Sequence, residues 1–451
     1  MVFEVGGVID LNKGQLDVRE PFLTIAGQTA PSPGITIIKG GFWINTHDIL
    51  IQHIRVRPGD AGEPKRSGWS PDGLTTSGGD AYNVLVDHCS FTWAVDENLS
   101  ASGERTEGPD STSHNITFSN NIIAECLSNS SHKKGPHSKG TLIHDFCRDI
   151  AIVGNLFAHN GMRNPYFKAH STGVIVNNLI YNPGRVAILL YYSKSEWKNA
   201  RYEPENCRVS IVGNVLYAGK NTNEKMALVA AMGDAFMKDN LAFDTEGMAL
   251  PLTYGNINIL SEKPVWPTDL MPLPADEVVG YITGHVGARP KERDVVDKRI
   301  IQDFLDKKGQ ILDSQDEVGG YPKHKATLPY YDRFPLIFPI NKVKGGILGM
   351  NMHYLPPKMR AQLMDALYTV ASDKSYDENT VLNLSYKMLQ SASQFRFFKP
   401  TVKMYLAKQV RSKFIKIAAS EWDTALFLPV QSFQKASQGK VWSDSRKIAR
   451  S

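Results

Sequence analysis

The chain has 451 residues, 42% of them hydrophobic, and a formal net charge of +5, so it is too long for one ordinary core and should form two or more units. No apolar run approaches the roughly 18 residues of a membrane span, and the N-terminal segment lacks the basic region and apolar core of a signal peptide. The four cysteines have no close-paired spacing, which argues against a cysteine-bound metal and favours buried free thiols.

The charge is unevenly distributed along the chain. From Leu336 to Ser451 there are 18 Lys and Arg against 7 Asp and Glu, whereas residues 1–335 carry 33 against 39. This split indicates two pieces with different partners, and the second piece is a candidate for binding DNA or another polyanion. A solubilising charged surface is the alternative interpretation.

One pattern recurs from about Leu23 to Asp244. Three or four alternating apolar residues are followed by a polar residue, often Asn, and then by two or three further apolar residues. Self-similarity of strand-like units predicts a parallel β-helix, with a basic coil of about 23 residues and loop insertions. Alignment of the repeats defines one equivalent position, expected to face inward. It is occupied by His53, Cys89, Asn121, Asn155, Asn178, Asn214 and Asn240, which are separated by 36, 32, 34, 23, 36 and 26 residues.

The pattern ends after about Met248. Residues 249–292 are Pro-rich and irregular, and Glu292–Lys307 has the apolar spacing of a helix. Further helices are predicted at Lys358–Ala371, Asn379–Ser391 and Thr401–Ile417. Asp377 is the expected N-cap of the helix Asn379–Ser391. The expected organisation is a β-helix over residues 1–250, a flank with one helix over 251–323 and a small, basic, mostly α domain over 324–451.

The loops inserted between coils indicate where a groove would lie. The longest are Pro58–Ala81, Ser100–Asn115 and Ser128–Arg148, and the carboxylates beside them are Asp72, Asp87, Asp96 and Glu97. Asp72 and Asp96 end consecutive coils, and carboxylates that converge in this way suit a hard cation such as Ca²⁺. Each acid taken alone is more often a loop cap or a solvated charge.

Basic residues are expected to face these acids across the groove. They are Lys133, Lys134, Arg163 and Lys168. A cationic groove together with a metal held by carboxylates suits a polymer of uronic acids, whose carboxylates could bridge to the metal and pair with Arg or Lys.

Residues 1–322 resemble the pectate lyases of polysaccharide lyase family 1. The shared stretches are LTIAGQTAP (23–31), IRVRPGD (54–60), NVLVDHCSFTWAVDE (83–97), HKKGPHSKGTLI (132–143), IVGNLFAHNGMRNP (152–165) and DSQDEVGGYP (313–322). The resemblance implies a right-handed parallel β-helix that cleaves α-1,4-linked polygalacturonate by calcium-dependent β-elimination. It also implies a coil and a cap ahead of the VFEVGG strand at which this chain begins.

The resemblance assigns roles by motif. Arg163 corresponds to the family's catalytic arginine, either as the base that removes the proton next to the uronate carboxylate or as a stabiliser of the enolate-like intermediate. Asp72 and Asp96 correspond to calcium ligands. The family usually has an acid where this chain has Ser100; either Glu97 supplies the missing ligand, or calcium binds weakly or only together with substrate.

The remaining roles concern the substrate and the scaffold. Lys133 or Lys134 corresponds to a substrate-binding lysine and Lys168 to a second substrate-binding cation, and His137 is expected to join them. Asp87 and His88 match a VDH motif that is expected to be structural.

Residues from about Lys325 onwards do not share this resemblance. LPYYDRFPLIFPI, GGILGMNMHYLP, LMDALY, FKPTVKMYL and EWDTALFLPV are similar to a small conserved protein of contractile-tailed bacteriophages that is associated with DNA-end protection or virion assembly. The similarity implies a phage-encoded fusion with DNA or virion proteins as partners. The expected function is a pectate lyase; the alternatives are a non-catalytic polysaccharide-binding or virion structural β-helix and a calcium-independent pectin lyase.

Overall fold

The computed structural model describes residues 1–320, 331–343, 346–371, 375, 377–395, 398–406, 415–417, 421–428, 430–434 and 436–450. The chain divides into two compact units, Met1–His324 and Lys325–Ser451. No helix among the described residues is both long and apolar enough to cross a membrane.

The first unit winds three parallel sheets around one core, which confirms the predicted parallel β-helix. The first sheet contains Gly7–Asp10, Ile35–Ile38, Ile54–Arg57, Ser90–Thr92, Ile122–Ala124, Leu156–Ala158, Leu179–Tyr181, Val215–Tyr217 and Leu241–Phe243. The second contains Leu16–Val18, Phe42–Ile44, Leu74–Ser77, Glu97–Ser102, Lys139–Ile143, Tyr166–Phe167 and Ile188–Leu190. The third contains Leu23–Ala26, Ile49–Gln52, Tyr82–Asp87, His114–Ser119, Arg148–Val153, Thr172–Val176 and Arg208–Val212.

One long strand joins the second sheet to the third. Val229–Lys238 pairs with Ile188–Leu190 through its first residues and with Arg208–Val212 through its last, and Thr253–Ile259 pairs along it. Inside the coils, aliphatic and aromatic side chains stack into a continuous core. The alternation of apolar and polar residues along each strand produces this arrangement, because successive side chains point to opposite faces.

A ladder of buried asparagines links the coils. Asn121 donates to Asn155, Asn155 to Asn178, Asn178 to Asn214 and Asn214 to Asn240, each Nδ2 to the next Oδ1 at 2.9–3.1 Å. The same Oδ1 atoms accept from backbone N–H groups of the preceding coil, including that of Cys89. The periodic Asn residues therefore satisfy buried backbone donors at a bend in every coil.

The alignment was wrong by one residue at the start of the ladder. Arg55 pairs with Ser90, so Ile54, and not His53, lies level with Cys89. His53 instead stacks on His88 with ring centroids 5.2 Å apart. The two histidines each precede the residue that begins the apolar run, so His53 is equivalent to His88, and matching His53 to Cys89 shifted the register by one residue.

Two helices cover the outer face of the first sheet. They are α1 (Ala275–His285) and α2 (Val295–Leu305), and their apolar faces pack on outward-facing residues of the sheet such as Ile122 and Leu179. The expected flank had one helix; α1 was missed because Gly280 and Gly284 lower its helix propensity. The buried Arg57 holds α2 in place through Asp294 at 2.6 Å and Asp297 at 2.7 Å.

The second unit is a three-stranded antiparallel sheet with helices. The strands are Ile337–Val343, Gly346–Asn351 and Val402–Leu406, and a small sheet pairs Tyr331–Asp332 with Phe433–Gln434. The helices are α3 (Pro357–Ala371), α4 (Glu378–Gln394), α5 (Trp422–Phe427) and α6 (Gln438–Arg450). Short 3₁₀ helices elsewhere in the chain are Gly27–Thr29, Pro109–Ser111, Lys194–Trp197, Pro290–Glu292, Gln315–Glu317, Met352–Tyr354 and Lys399–Thr401.

The predicted helices of this unit were partly correct. The first two correspond to α3 and α4, and Asp377 caps α4 by accepting from the backbone N–H of Thr380. The third was wrong at its start, because Val402–Leu406 is a strand paired with Gly346–Met350. Residues 407–414 of that predicted helix lie outside the described residues. The alternation in VKMYL, with its β-branched and aromatic residues, suits a strand.

The asparagine ladder predicts a large effect of one substitution. Asn155→Ala removes the acceptor of the Asn121 backbone N–H and a donor to Phe118 O, so we expect a loss of about 2–3 kcal/mol in the free energy of unfolding. Urea denaturation measures this loss. Asn45→Ala, at an exposed position, should change stability by less than about 0.5 kcal/mol; equal effects of the two substitutions would contradict a structural role for the ladder.

Candidate active site

The site lies where the strands of the second sheet begin. Glu97 pairs with Lys139 in the next coil, and Lys139 bridges to Met162 in the coil after that. Asp72 precedes the strand Leu74–Ser77 one coil earlier. Coils stack about 4.8 Å apart, so four successive coils each bring a residue to the same edge.

Asp72, Asp96 and Glu97 form a carboxylate cluster at this edge. One oxygen from each lies within 4.8 Å of the others. Asp72 is fixed because it accepts from Thr75 Oγ1 at 2.5 Å and from the backbone N–H of Glu97 at 3.0 Å. Stacking therefore brings together the three carboxylates that the sequence suggested as metal ligands.

Burial and the closeness of like charges shape the electrostatics of the carboxylate cluster. Burial and the neighbouring charge of Asp96 raise the pKa of Asp72 to about 7. Burial also acts to raise the pKa of Asp96, but the hydrogen bond with His137 and the charges of His137, His132 and Arg163 leave that pKa below its usual value. Oxygen donors arranged in this way, with repulsion that a cation would relieve, fit a divalent ion that prefers oxygen ligands.

Two stacked histidines support Asp96. The rings of His132 and His137 are 3.8 Å apart and nearly parallel, and their Nε2 atoms lie 3.4 and 2.7 Å from the Asp96 carboxylate. The backbone N–H of Lys134 donates to His132 Nδ1 at 3.0 Å. This hydrogen bond places the proton of neutral His132 on Nε2, so His132 is a donor to Asp96 and not a metal ligand.

Arg163 reaches the carboxylate cluster directly. Its guanidinium forms an ion pair with Glu97 and lies over the Tyr166 ring, 5.5 Å from the ring centroid. Its Nε makes no hydrogen bond to any described residue. Burial lowers the pKa of Arg163, whereas the charges of Asp96 and Asp72 act in the opposite direction. The residue expected across the groove thus contacts one of the acids.

The other predicted substrate-binding residues differ in exposure and in the groups that they contact. Lys133 and Lys134 are exposed on the loop beside the cluster. Burial lowers the pKa of His132 and of Lys139, and the charge of Lys134 adds to both shifts. His137 binds Asp96. Lys168 is buried and pairs with Asp145 at 3.4 Å and with Glu196, so in this structure it is not an unoccupied cation facing the groove.

The VDH residues lie away from the site. Asp87, on the third sheet, accepts from Ser119 Oγ and Asn120 Nδ2 at 2.8 and 2.9 Å and contacts His88 Nδ1 at 2.8 Å. These contacts join neighbouring coils, which fits a structural role.

Lys139 is a site residue that the sequence reasoning missed. It lies between Glu97 and Met162 in the stack, and its Nζ contacts Met162 Sδ, a weak acceptor, at 2.6 Å. Burial, reinforced by the charges of Arg185 and Lys134, lowers the pKa of Lys139 to about 8. The available signal was its place at the start of a strand in the coil between those of Asp96 and Arg163.

Ser100 occupies the position of the absent acid. Its Oγ lies 3.3 Å from Thr75 Oγ1, the group that holds Asp72. The serine side chain therefore faces the site, but it supports the carboxylate cluster indirectly.

Comparison with known proteins identifies the first unit. A probable pectate lyase C of Emericella nidulans is 30% identical over 327 residues, which cover 71% of this chain and 69% of the relative. The chain belongs to the pectate lyase family. A probable pectate lyase C of Aspergillus flavus is 29% identical over 332 residues, covering 71% of this chain and 70% of the relative.

A solved structure and a family model also match parts of the chain. The major allergen from cedar pollen matches with a TM-score of 0.45 and 14% identity, covering 63% of this chain and 79% of that one. Residues 320–450 match a family described as the phage T4 terminal DNA protecting protein, which confirms the resemblance noted in the C-terminal sequence. The chain is therefore a polysaccharide lyase with a phage-type C-terminal segment.

The buried Lys139 predicts a pH-dependent effect on stability. Because its pKa is about 8 in the folded protein and 10.5 for an unperturbed lysine, its charge destabilises the fold fully below pH 8 and progressively less between pH 8 and 10.5. Lys139→Met should therefore stabilise the protein by roughly 3 kcal/mol at pH 7, and the gain should shrink towards pH 10. Denaturant titrations at several pH values measure it. The exposed Lys134→Met is the control, and a gain independent of pH would refute the assignment.

Proposed function

We propose that the protein cleaves α-1,4-linked polygalacturonate by β-elimination at the edge formed by the carboxylate cluster, Lys139 and Arg163. The observation that carries the proposal is the direct contact between the Arg163 guanidinium and Glu97, which puts a strong cation beside a potential metal site. A single uronate unit can then interact with both.

The ion that suits the cluster is Ca²⁺, held by Asp72, Asp96 and Glu97. Three carboxylates provide the hard oxygen donors that calcium prefers. When bound, the ion supplies positive charge that neutralises the uronate carboxylate and makes the adjacent C5–H more acidic. His132 and His137 keep the Asp96 carboxylate oriented and ionised.

Lys139 and Lys134 are proposed to bind substrate carboxylates. Lys139 lies in the stack between Glu97 and Met162, the residue that precedes Arg163. The exposed Lys134 and Lys133 extend positive charge along the loop. These cations attract a polyanion and fix the register of its carboxylates against the cluster.

Arg163 is the proposed catalytic residue. In the elimination, a base takes the proton at C5, the electrons of the C5–H bond form the C4–C5 double bond, and the C4–O4 bond breaks to release the preceding chain, whose O4 takes up a proton from solvent. Burial lowers the pKa of Arg163, which favours the neutral form required of a base. The ion pair with Glu97 favours the charged form, which would stabilise the enolate-like intermediate.

Substitution of Arg163 tests the proposal. Arg163→Ala should reduce the rate of unsaturated-product formation on polygalacturonate by at least about 10³-fold, as measured by ultraviolet absorbance. Arg163→Lys distinguishes the two roles: a rate that rises with pH indicates a base, and a flat profile indicates charge stabilisation.

Two controls accompany this experiment. Chelation of divalent ions should abolish the wild-type rate, and added Ca²⁺ should restore it. Arg201→Ala, which removes an exposed arginine stacked on Tyr202, should leave the rate within about twofold of wild type. Wild-type protein that binds polyuronates but cleaves none of them would instead favour a non-catalytic polysaccharide-binding β-helix.

We also propose that residues 324–451 bind DNA ends. The match to the terminal DNA protecting family supports this proposal, as does the basic charge from Leu336 onwards, where 18 Lys and Arg stand against 7 Asp and Glu. A phage-encoded fusion would combine the two activities. The full chain should retard linear DNA in gels, with an affinity that falls steeply with salt, and should protect its ends from an exonuclease. Binding to circular DNA of equal strength would contradict end recognition.

A further inference from the structure

A balanced network of four charges lies beside the proposed active site. It consists of Arg105, Asp145, Lys168 and Glu196, here called the Glu196 network. Arg105 Nη1 is 3.1 Å from Glu196 and 3.3 Å from Asp145, and Lys168 Nζ is 3.4 Å from Asp145 and bonded to Glu196. Two cations and two carboxylates cancel, so the network offers no net charge to a ligand.

The position of Glu196 is fixed by its neighbours. It lies on the 3₁₀ helix Lys194–Trp197, whose Trp197 is buried against Phe146 and His170 with ring centroids 5.6 and 5.4 Å apart. Tyr192 and Ala200 pack around the same aromatic group. This apolar anchor holds the segment on the coils and presents the carboxylate to Lys168.

Glu196 is the most exposed member of the network, ahead of Arg105 at 30%. Its side chain is 39% exposed, whereas those of Lys168 and Asp145 are 5% and 1% exposed. Partial burial acts to raise the pKa of Glu196, but the hydrogen bond and charge of Lys168, together with Arg105, lower it below the usual value. A ligand that approaches Lys168 therefore meets an ionised carboxylate first.

The network belongs to the neighbourhood of the reaction centre. Lys168 follows the strand Tyr166–Phe167, and Arg163 lies over the ring of Tyr166. Burial is the largest influence on the pKa of Arg163 and of Tyr166, and the charge of Glu196 acts on both groups in the raising direction. A sugar unit next to the one held by the carboxylate cluster would thus lie within reach of Glu196.

We propose that Glu196 determines substrate specificity by excluding a free uronate carboxylate from the subsite at Lys168 and Arg105. Glu196 already occupies the place on these cations that a substrate carboxylate would take, and its charge repels a second carboxylate. A methyl-esterified unit carries no charge, so Glu196 does not repel it from this subsite. The inference rests on the proposed function, and it refines the substrate to partly methyl-esterified galacturonan.

Glu196→Gln keeps the shape of the side chain and removes its charge, so Lys168 and Arg105 gain one unit of uncompensated positive charge. The KM for unesterified polygalacturonate should fall about fivefold, a typical effect of one ion pair at a partly exposed site. The KM for highly methyl-esterified pectin should stay within about twofold, so the ratio of the two values changes. The shift should diminish at high salt, since the interaction is electrostatic.

Glu205→Gln is the matched control. Glu205 is in the same loop, is 80% exposed and approaches only His170 among its described ion-pair partners, at 3.9 Å, so its substitution should leave the ratio of KM values unchanged. Glu196→Ala is a second variant that should shift the ratio in the same direction as Glu196→Gln. An unchanged ratio in both Glu196 variants overturns the inference while leaving the lyase function intact.

Binding separates the failure of this inference from the failure of the proposed function. If no variant cleaves any galacturonan, affinity electrophoresis in gels that contain polygalacturonate gives the answer without turnover. Stronger retardation of Glu196→Gln than of wild type and Glu205→Gln supports the inference although the lyase proposal has failed. Equal retardation of all three proteins, or no retardation of any, overturns it.

Discussion

Registered stacking of the coils is the constraint on which the site depends. The asparagine ladder from Asn121 to Asn240 satisfies buried backbone donors in successive coils, and in-register pairing fixes which residues share an edge. Asp72, Glu97, Lys139 and Arg163 are far apart in the chain, yet they meet because each precedes or begins a strand of the second sheet. A shift of one residue in any coil would turn its polar side chain into the core.

The same stacking explains the charges of the site. Successive coils, about 4.8 Å apart, bring ionisable groups to one edge and bury them there, where they lose solvation. Burial is the largest cause of the raised pKa of Asp72 and of the lowered pKa values of Lys139 and Arg163, and the charge of Asp96 further raises the pKa of Asp72. Such groups destabilise the fold and are found where chemistry requires them. In the Glu196 network the charges cancel, and we propose that this restricts which sugar units the neighbouring subsite binds.

Local periodicity predicted the architecture well, since the Asn positions and alternating apolar residues report directly on coils. Predictions from local periodicity failed where contacts between distant segments determine the structure. The true neighbour of Cys89 is Ile54, and VKMYL pairs as a strand despite its basic helical context. Nothing near Lys168 in the sequence indicates that Glu196, 28 residues later, neutralises it. Lys139 escaped notice because its relation to Glu97 exists only after the coils stack.

The lyase proposal requires one uronate unit to touch both the carboxylate cluster and residue 163. A crystal structure of the Arg163→Ala variant with Ca²⁺ and a galacturonate oligomer would show whether it does. We expect a sugar whose carboxylate lies beside Asp72 and Asp96, while its C5–H points to the space vacated by the arginine. An oligomer bound on another face of the coils, or a C5 turned away from residue 163, would contradict it.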